Sequence, residues 1–183
     1  MNKKKIKNYQ IFSELLVFIL GSLFHFTYEL SGNNLFIATF SAVNESVWEH
    51  LKLIFFPSLL TVIIGILYLK KECPNFICAK TLGILISMAF IVIFFYTYTG
   101  IIGKSISIID ISSFIIAVIL GESISYLLVV NKFKCNSIIS VCTLVVLSIC
   151  FILFTFFTPQ IGIFKDPITG LYGISLQKDI ISK

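Results

Sequence analysis

Leu82-Gly83-Ile84-Leu85-Ile86-Ser87-Met88-Ala89-Phe90-Ile91-Val92-Ile93-Phe94-Phe95 runs without a single charged side chain. A helix of a soluble protein carries a polar face, so charges would interrupt such a stretch every three or four residues. Here the apolar character goes all the way round. The surrounding segment, from about Thr81 to Ile102, is long enough at 1.5 Å per residue to cross about 30 Å of hydrocarbon. It reads as a membrane span, and the rest of the chain repeats the pattern.

Of the 183 residues, 57% are hydrophobic and 13% charged, with a mean hydropathy of +1.01. Further spans are expected at about 9–30, 45–69, 105–130 and 137–158, followed by a tail over 160–183. The fold class is therefore all-α, a polytopic transmembrane bundle of about five spans forming one integral-membrane domain. All fourteen basic residues are Lys and the formal charge is +5. They lie between apolar segments and form no basic face interleaved with aromatics, which argues against nucleic acid as a partner and for membrane lipids.

The lysines at 3, 4, 5 and 7 precede an apolar run too long for a signal peptide, and no small-x-small cleavage site follows it, so an uncleaved first span is expected. Ser31-Gly32-Asn33-Asn34 stops that helix. Residues 35–43 are too short to cross and are expected to form a re-entrant or interfacial segment. The second span has two rival N-terminal signals, Asn44 as N-cap and Ser46 with Glu49 as a capping box, and Pro57 is expected to bend it. Lys70 to Lys80 reads as a polar loop. In the fourth span Ser113, Ala117, Gly121 and Ser125 recur every four residues, a small-residue seam for close helix packing. No internal repeat supports an inverted-repeat transporter.

Counting lysines by side gives nine (Lys3, Lys4, Lys5, Lys7, Lys70, Lys71, Lys80, Lys132, Lys134) against five (Lys52, Lys104, Lys165, Lys178, Lys183) when the N-terminus is cytoplasmic. The positive-inside rule thus places the N-terminus in the cytoplasm and the C-terminus outside in a multi-pass cell-membrane protein. On that topology Cys73, Cys78 and Cys135 face the cytoplasm and Cys142 and Cys150 lie within the fifth span, so none is expected to pair. A metal site from Cys73, Cys78 and Cys135 is disfavoured, because the spacing is wide of a zinc knuckle and no loop His joins it.

Chemistry concentrates in Asn44-Glu45-Ser46-Val47-Trp48-Glu49-His50-Leu51-Lys52, which holds the only Trp and one of two His. Ionisable groups within a membrane are costly and call for a partner or a role. Most of those here fall at the outer end: His25 and Glu29 on the first span, Glu45, Glu49 and His50 on the second, Tyr96 and Tyr98 on the third, Asp110 on the fourth and Asp166 in the tail. Glu45 and Glu49 would share a helix face and repel unless a cation sits between them. Lys52 is one candidate; a divalent Zn, Mn or Fe held by His25, Glu29, Glu45 and Glu49 is the other. His50 would project about 100° from Glu49 and about 140° from Glu45 on one helix, and the spacing matches no established metal motif.

Catalytic candidates are Glu45, Glu49, His50 and Lys52; Asn44, Trp48, Tyr96, Asp110 and Asp166 are candidates for contacting a substrate. The plainer alternative is a capped, dipole-complementing helix start with Trp48 as an interfacial anchor and His25 bonded to a neighbouring carbonyl. Glu14 is expected to snorkel, and Glu122 to serve structure, with pairing to a tyrosine or a proton path as the alternatives.

The blocks Gly21-Ser22-Leu23-Phe24-His25-Phe26-Thr27-Tyr28-Glu29, Asn44 to Lys52 with Pro57, and Phe164-Lys165-Asp166-Pro167-Ile168-Thr169-Gly170-Leu171-Tyr172-Gly173 together resemble a family of small bacterial polytopic membrane proteins of unknown function. The resemblance spans nearly the whole chain and implies no activity. It does imply that the three blocks belong to one architecture, with the Asp166-Pro167 turn folding back over the outer mouth. The functional readings that follow are a membrane protein with an outer polar site, a membrane-embedded hydrolase or transferase acting on a lipid or lipid-linked substrate, and a cation or small-solute binding or transport protein.

Overall fold

The computed structural model describes residues 2–69 and 73–174. The elements in order are α1 (Lys3–Leu30), a one-turn helix α2 (Leu35–Ala38), α3 (Val47–Leu69), α4 (Phe76–Ile102), α5 (Ser107–Val130), α6 (Ser137–Phe156) and a short 3-10 turn at Gly162–Phe164. Among the described residues five helices, all except α2, are long and apolar enough to cross a membrane. With no water in hydrocarbon to satisfy the backbone, helices of this length are what such sequence can form. The fold is that of a polytopic membrane protein.

The most extensive helix pairing is α4 with α5, followed by α1 with α3; α5 also meets α1, and α6 lies against α4. The α4–α5 seam is the small-residue face expected from the sequence. Ser113, Ala117, Gly121 and Ser125 are all buried, and Ser87 Oγ donates to the Ala117 carbonyl at 2.8 Å. A Cβ at Gly121 would meet Ser87 Oγ and lie 2.5 Å from the Gly83 carbonyl, so this crossing tolerates only glycine there. Val17, Ile54, Phe55, Ile84 and Phe151 fill the centre. Outward positions such as Leu67, Ile93 and Val146 are exposed and apolar, a surface suited to lipid.

Several boundaries and partners differ from the expectations. The third span starts at Phe76, a turn early, because Lys80 is not in a loop. It lies 1% exposed inside α4 and donates to both carboxylate oxygens of Glu122 at 2.6 Å and to Ser13 Oγ at 2.7 Å. Glu122 therefore pairs with a lysine rather than a tyrosine, although the Tyr9 ring lies 5.6 Å from the same ammonium. Lys70 and Lys71 lie outside the described residues. The expectation of unpaired cysteines is also corrected. Cys78 near the start of α4 and Cys135 in the α5–α6 loop form a disulfide with Cα atoms 6.3 Å apart, because the α4–α5 packing returns that loop to the beginning of α4.

Pro57 sits inside α3, which runs through it unbroken. Lacking an N–H, Pro57 leaves the Leu53 carbonyl without its usual helical donor. Gly21 of α1 fills that side: a Cβ there would lie 2.6 Å from the Leu53 oxygen, so the glycine lets the two backbones meet.

Residues 35–43 form a cap at one end of the bundle. Asn34 Oδ1 accepts from the Phe36 N–H at 2.8 Å, starting α2, and Leu35 and Phe36 remain exposed. The tail folds back as a hairpin, with Lys165 bridged to Tyr172 and the Asp166 N–H donating to the Leu171 carbonyl at 2.9 Å.

Candidate metal centre

Local chemistry at the start of α3 determines what can meet. Of the two N-terminal signals, Ser46 is the one that caps the helix. Its Oγ accepts from the Glu49 N–H at 3.3 Å, and Asn44 Oδ1 accepts from the Ser46 N–H at 2.9 Å in the turn before it. The helix consequently begins at Val47, two residues later than expected, and Glu45 lies outside the helical phase. That frees its carboxylate to swing back toward α1 and toward His50, a meeting that helical geometry alone would forbid.

The turn holding Glu45 is stapled to α1. The Ser41 hydroxyl donates to the Phe24 carbonyl and accepts from the Tyr28 N–H at 3.1 Å, with Thr27 Oγ1 2.9 Å away. The Ala42 N–H donates to the same Phe24 carbonyl at 3.2 Å. These bonds place Glu45 beside His25, one residue along α1 from Phe24.

Glu45 Oε2 lies 3.6 Å from His25 Nε2 and 3.5 Å from His50 Nε2. Among the described residues these three form the group able to hold a metal ion, with all ligand atoms within 4.8 Å of one another. His50 Nδ1 lies 3.0 Å from the Ser46 carbonyl. A carbonyl can only accept, so Nδ1 carries the proton and Nε2 is left to face Glu45. The His25 contact, opposed by burial and reinforced by the nearby His50 ring, holds the Glu45 carboxyl below its ordinary range.

Glu49 takes Lys52, one of the two cations expected, as its partner, and the pair belongs to a buried network separate from the His25–Glu45–His50 group. Lys52 is fully buried. Its ammonium donates to Glu49 Oε2 at 2.7 Å, to the Ala38 carbonyl at 2.7 Å and to Thr155 Oγ1 at 3.0 Å. All three of its protons are engaged, tying α3 to α2 and α6. Glu49 Oε2 also accepts from the Val43 N–H at 3.1 Å. Neither side chain reaches the histidines. Glu29 is exposed, a turn beyond His25, and stands outside the group as well.

His25, Glu45 and His50 sit at one end of a cavity of about 450 Å³, within the range of small-molecule sites. Its walls include His25, Glu45, His50 and Asp110 above and Phe18, Leu53, Ile91 and Phe114 below. Asp110 is oriented by the Tyr98 hydroxyl and by Ser105 Oγ at 2.7 Å.

The other expected contacts resolve differently. Asn44 serves the turn rather than the cavity. Trp48 packs against Phe151 at 4.6 Å and Phe164 at 4.8 Å between ring centroids, on the far side of α3. Tyr96 is 44% exposed and does not line the cavity. Asp166 is buried, its Oδ1 accepting from the Ile168 and Thr169 N–H groups at 2.7 and 3.1 Å. It shapes the turn that brings Pro167 and Ile168 to the cavity rim.

A family model described as a family of unknown function (DUF6512) matches residues 1–174. The chain belongs to this family. No curated protein and no solved structure matches it. The DUF6512 match takes in His25, the Asn44 to Lys52 word and the Asp166 turn alike, and the fold brings all three to the same end of the bundle.

In this DUF6512 chain His50 takes the place beside His25 and Glu45 that sequence alone gives to Glu29 and Glu49, because Glu45 lies before the helix rather than on it. The rival Ser46 cap was the signal that could have moved it. Ser105, Ser107 and Phe114 carry no sequence signal as cavity residues; only the α1–α5 packing brings them there.

Proposed function

We propose that this protein binds one divalent transition-metal ion through His25 Nε2, Glu45 Oε2 and His50 Nε2, and that the ion supports hydrolytic or transfer chemistry at the outer end of the bundle. The observation that carries this reading is the His50 tautomer. With Nδ1 committed to the Ser46 carbonyl, Nε2 presents either a lone pair or a second proton to the carboxylate. A lone pair facing a carboxylate is repulsive unless a cation lies between them.

The spacing favours a metal over a proton. Charge-assisted hydrogen bonds close to about 2.7–2.9 Å, whereas the two Nε2–Oε2 separations are 3.5 and 3.6 Å. Two ligands on a tetrahedral ion with bonds of about 2.0–2.1 Å stand roughly 3.3 Å apart, so small side-chain movements would complete the shell. A carbonyl bonded to the far nitrogen of a ligating His is also the usual outer-shell arrangement, because it sets the tautomer and raises ligand basicity. Two His and one Glu is a donor set of catalytic zinc, which retains a position for water or substrate. Bound there, the ion would supply Lewis-acid polarisation and acidify its water. A position left toward the cavity would take water or substrate, and Asp110, which lines the same cavity, would offer the substrate a second polar contact. The lysine distribution supports placing this centre on the extracytoplasmic side.

Elemental analysis of protein purified in detergent tests the reading. About one Zn, Mn or Fe per chain is expected, falling at least tenfold in His25→Ala, His50→Ala and Glu45→Gln but not in Glu29→Gln. Wild-type protein that stays folded and takes up no metal from micromolar zinc would refute it.

A further inference from the structure

We infer that the cavity beneath the His25–Glu45–His50 group is a lateral binding site for a membrane phospholipid, which enters from the bilayer between α1 and α5 with its anionic oxygens toward that group. The inference deepens the metal reading and rests on it for the position of the head. The chain site stands on separate observations.

The first is the segregation of the walls. The titratable side chains, His25, Glu45, His50 and Asp110, all lie at the outer end, while Phe18, Leu53, Ile91, Phe95 and Phe114 line most of the rest, and the Ser22 and Ser113 hydroxyls in that wall already donate to the Phe18 and Asp110 carbonyls at 2.8 Å. Phe18 is seven residues before His25 on α1, about 10 Å deeper along a helix. The Phe18 and Phe114 rings, 6.3 Å apart, lie at that depth. A polar solute filling this space would leave its lower groups without partners, at a cost of about 1–3 kcal/mol each. An alkyl chain has no such groups.

The second is the direction of the opening. Cavity residues on α1 and α5 are also exposed outward: Phe26 is 57% and Ile111 60% exposed, and Ser22 and Ser107 are exposed beside them. In a bundle that spans the membrane, the space outside this gap at the depth of Phe18 and Phe114 is hydrocarbon. Above, the Asp166 turn sets Pro167 and Ile168 over the cavity, narrowing the route from water. At about 450 Å³ the space is more than ten times the roughly 30 Å³ share of a water molecule, room for part of one acyl chain. A divalent ion with two neutral imidazoles and one carboxylate would carry net positive charge, which suits a phosphate oxygen at the open position.

Photolabelling in proteoliposomes tests this. The probe is phosphatidylglycerol carrying a diazirine midway along one acyl chain, diluted into unlabelled phosphatidylglycerol, with adducts mapped by peptide mass spectrometry. Leu53 and Ile91 are 3% and 6% exposed, so adducts on them report entry into the cavity, whereas adducts on the outward Val146 report surrounding lipid. Wild-type protein should be labelled at both kinds of position. Ser22→Trp and Ser107→Trp, which narrow the gap, should lower labelling of Leu53 and Ile91 at least fivefold with Val146 unchanged, and Ser112→Trp, outside the cavity wall, should change neither. His50→Ala should lose metal yet keep the interior adducts, so failure of the metal reading and failure of this one give different results. Labelling of Val146 without Leu53 or Ile91 overturns the proposal. So does interior labelling that persists in both narrowed variants, or that is obtained only with a water-soluble dihexanoyl version of the probe.

Discussion

Replacing Lys80 by Met should be among the most damaging single changes in this protein. Lys80 is 1% exposed and its partner Glu122 6%, and both carboxylate oxygens accept from the ammonium at 2.6 Å. Removing one member of a buried ion pair leaves an uncompensated charge and typically costs about 3–5 kcal/mol, whereas replacing both by apolar groups of similar volume is often neutral or stabilising. Lys80→Met should therefore lower the folded-to-unfolded ratio by roughly a hundred- to a few thousand-fold, while Lys80→Met with Glu122→Leu should recover most of that loss. Ser13, which accepts a third bond from the ammonium, should contribute on the order of 1 kcal/mol by itself in Ser13→Ala. The measurement is reversible unfolding in mixed micelles, followed by helical circular dichroism across the four-member cycle. A single Lys80 substitution costing under about 1 kcal/mol, or a double variant no better than the single one, would show that the charge is not compensated as described.

Because contact with His25 lowers the Glu45 carboxyl, its contribution to stability is fully present above the ordinary Glu value of about 4.3 and is lost as pH falls through the lowered one. In chelator, the difference in Tm between wild type and Glu45→Gln should accordingly shrink toward zero below about pH 4, and a difference constant to pH 3 would contradict the assignment. Gly121→Ala should cost about 1–3 kcal/mol by overpacking, since the neighbouring Gly83 carbonyl belongs to backbone that cannot rotate away; unchanged thermal stability would refute the close crossing. The lysine distribution and the Cys78–Cys135 bond argue for opposite orientations. In intact cells, with Cys73, Cys142 and Cys150 replaced, an impermeant maleimide should label Ser31→Cys and not Asn131→Cys if the lysines decide, and the reverse pattern would invert the topology.

Five apolar runs announce five spans, because a span needs only length and the absence of charge, both properties of contiguous sequence. The same holds for the seam of Ser113, Ala117, Gly121 and Ser125, where a four-residue repeat defines one face without reference to any partner. Turn chemistry was legible on similar terms, since Asp166, Pro167 and Gly170 act on their own neighbours. What sequence could not supply is which polar groups meet. Lys80 reads as a loop residue beside Lys70 and Lys71 until α5 brings Glu122 to it, 42 residues on. Glu45 and Glu49 read as one face until the Ser46 cap takes Glu45 out of the helix and the Ser41 staple carries it to His25. Spacing gives a direction only relative to a residue's own helix, and only inside it. The start of α3 and the position of α1 are tertiary facts, and they decide that Glu45 faces two imidazoles while Glu49, four residues later, is bound to Lys52.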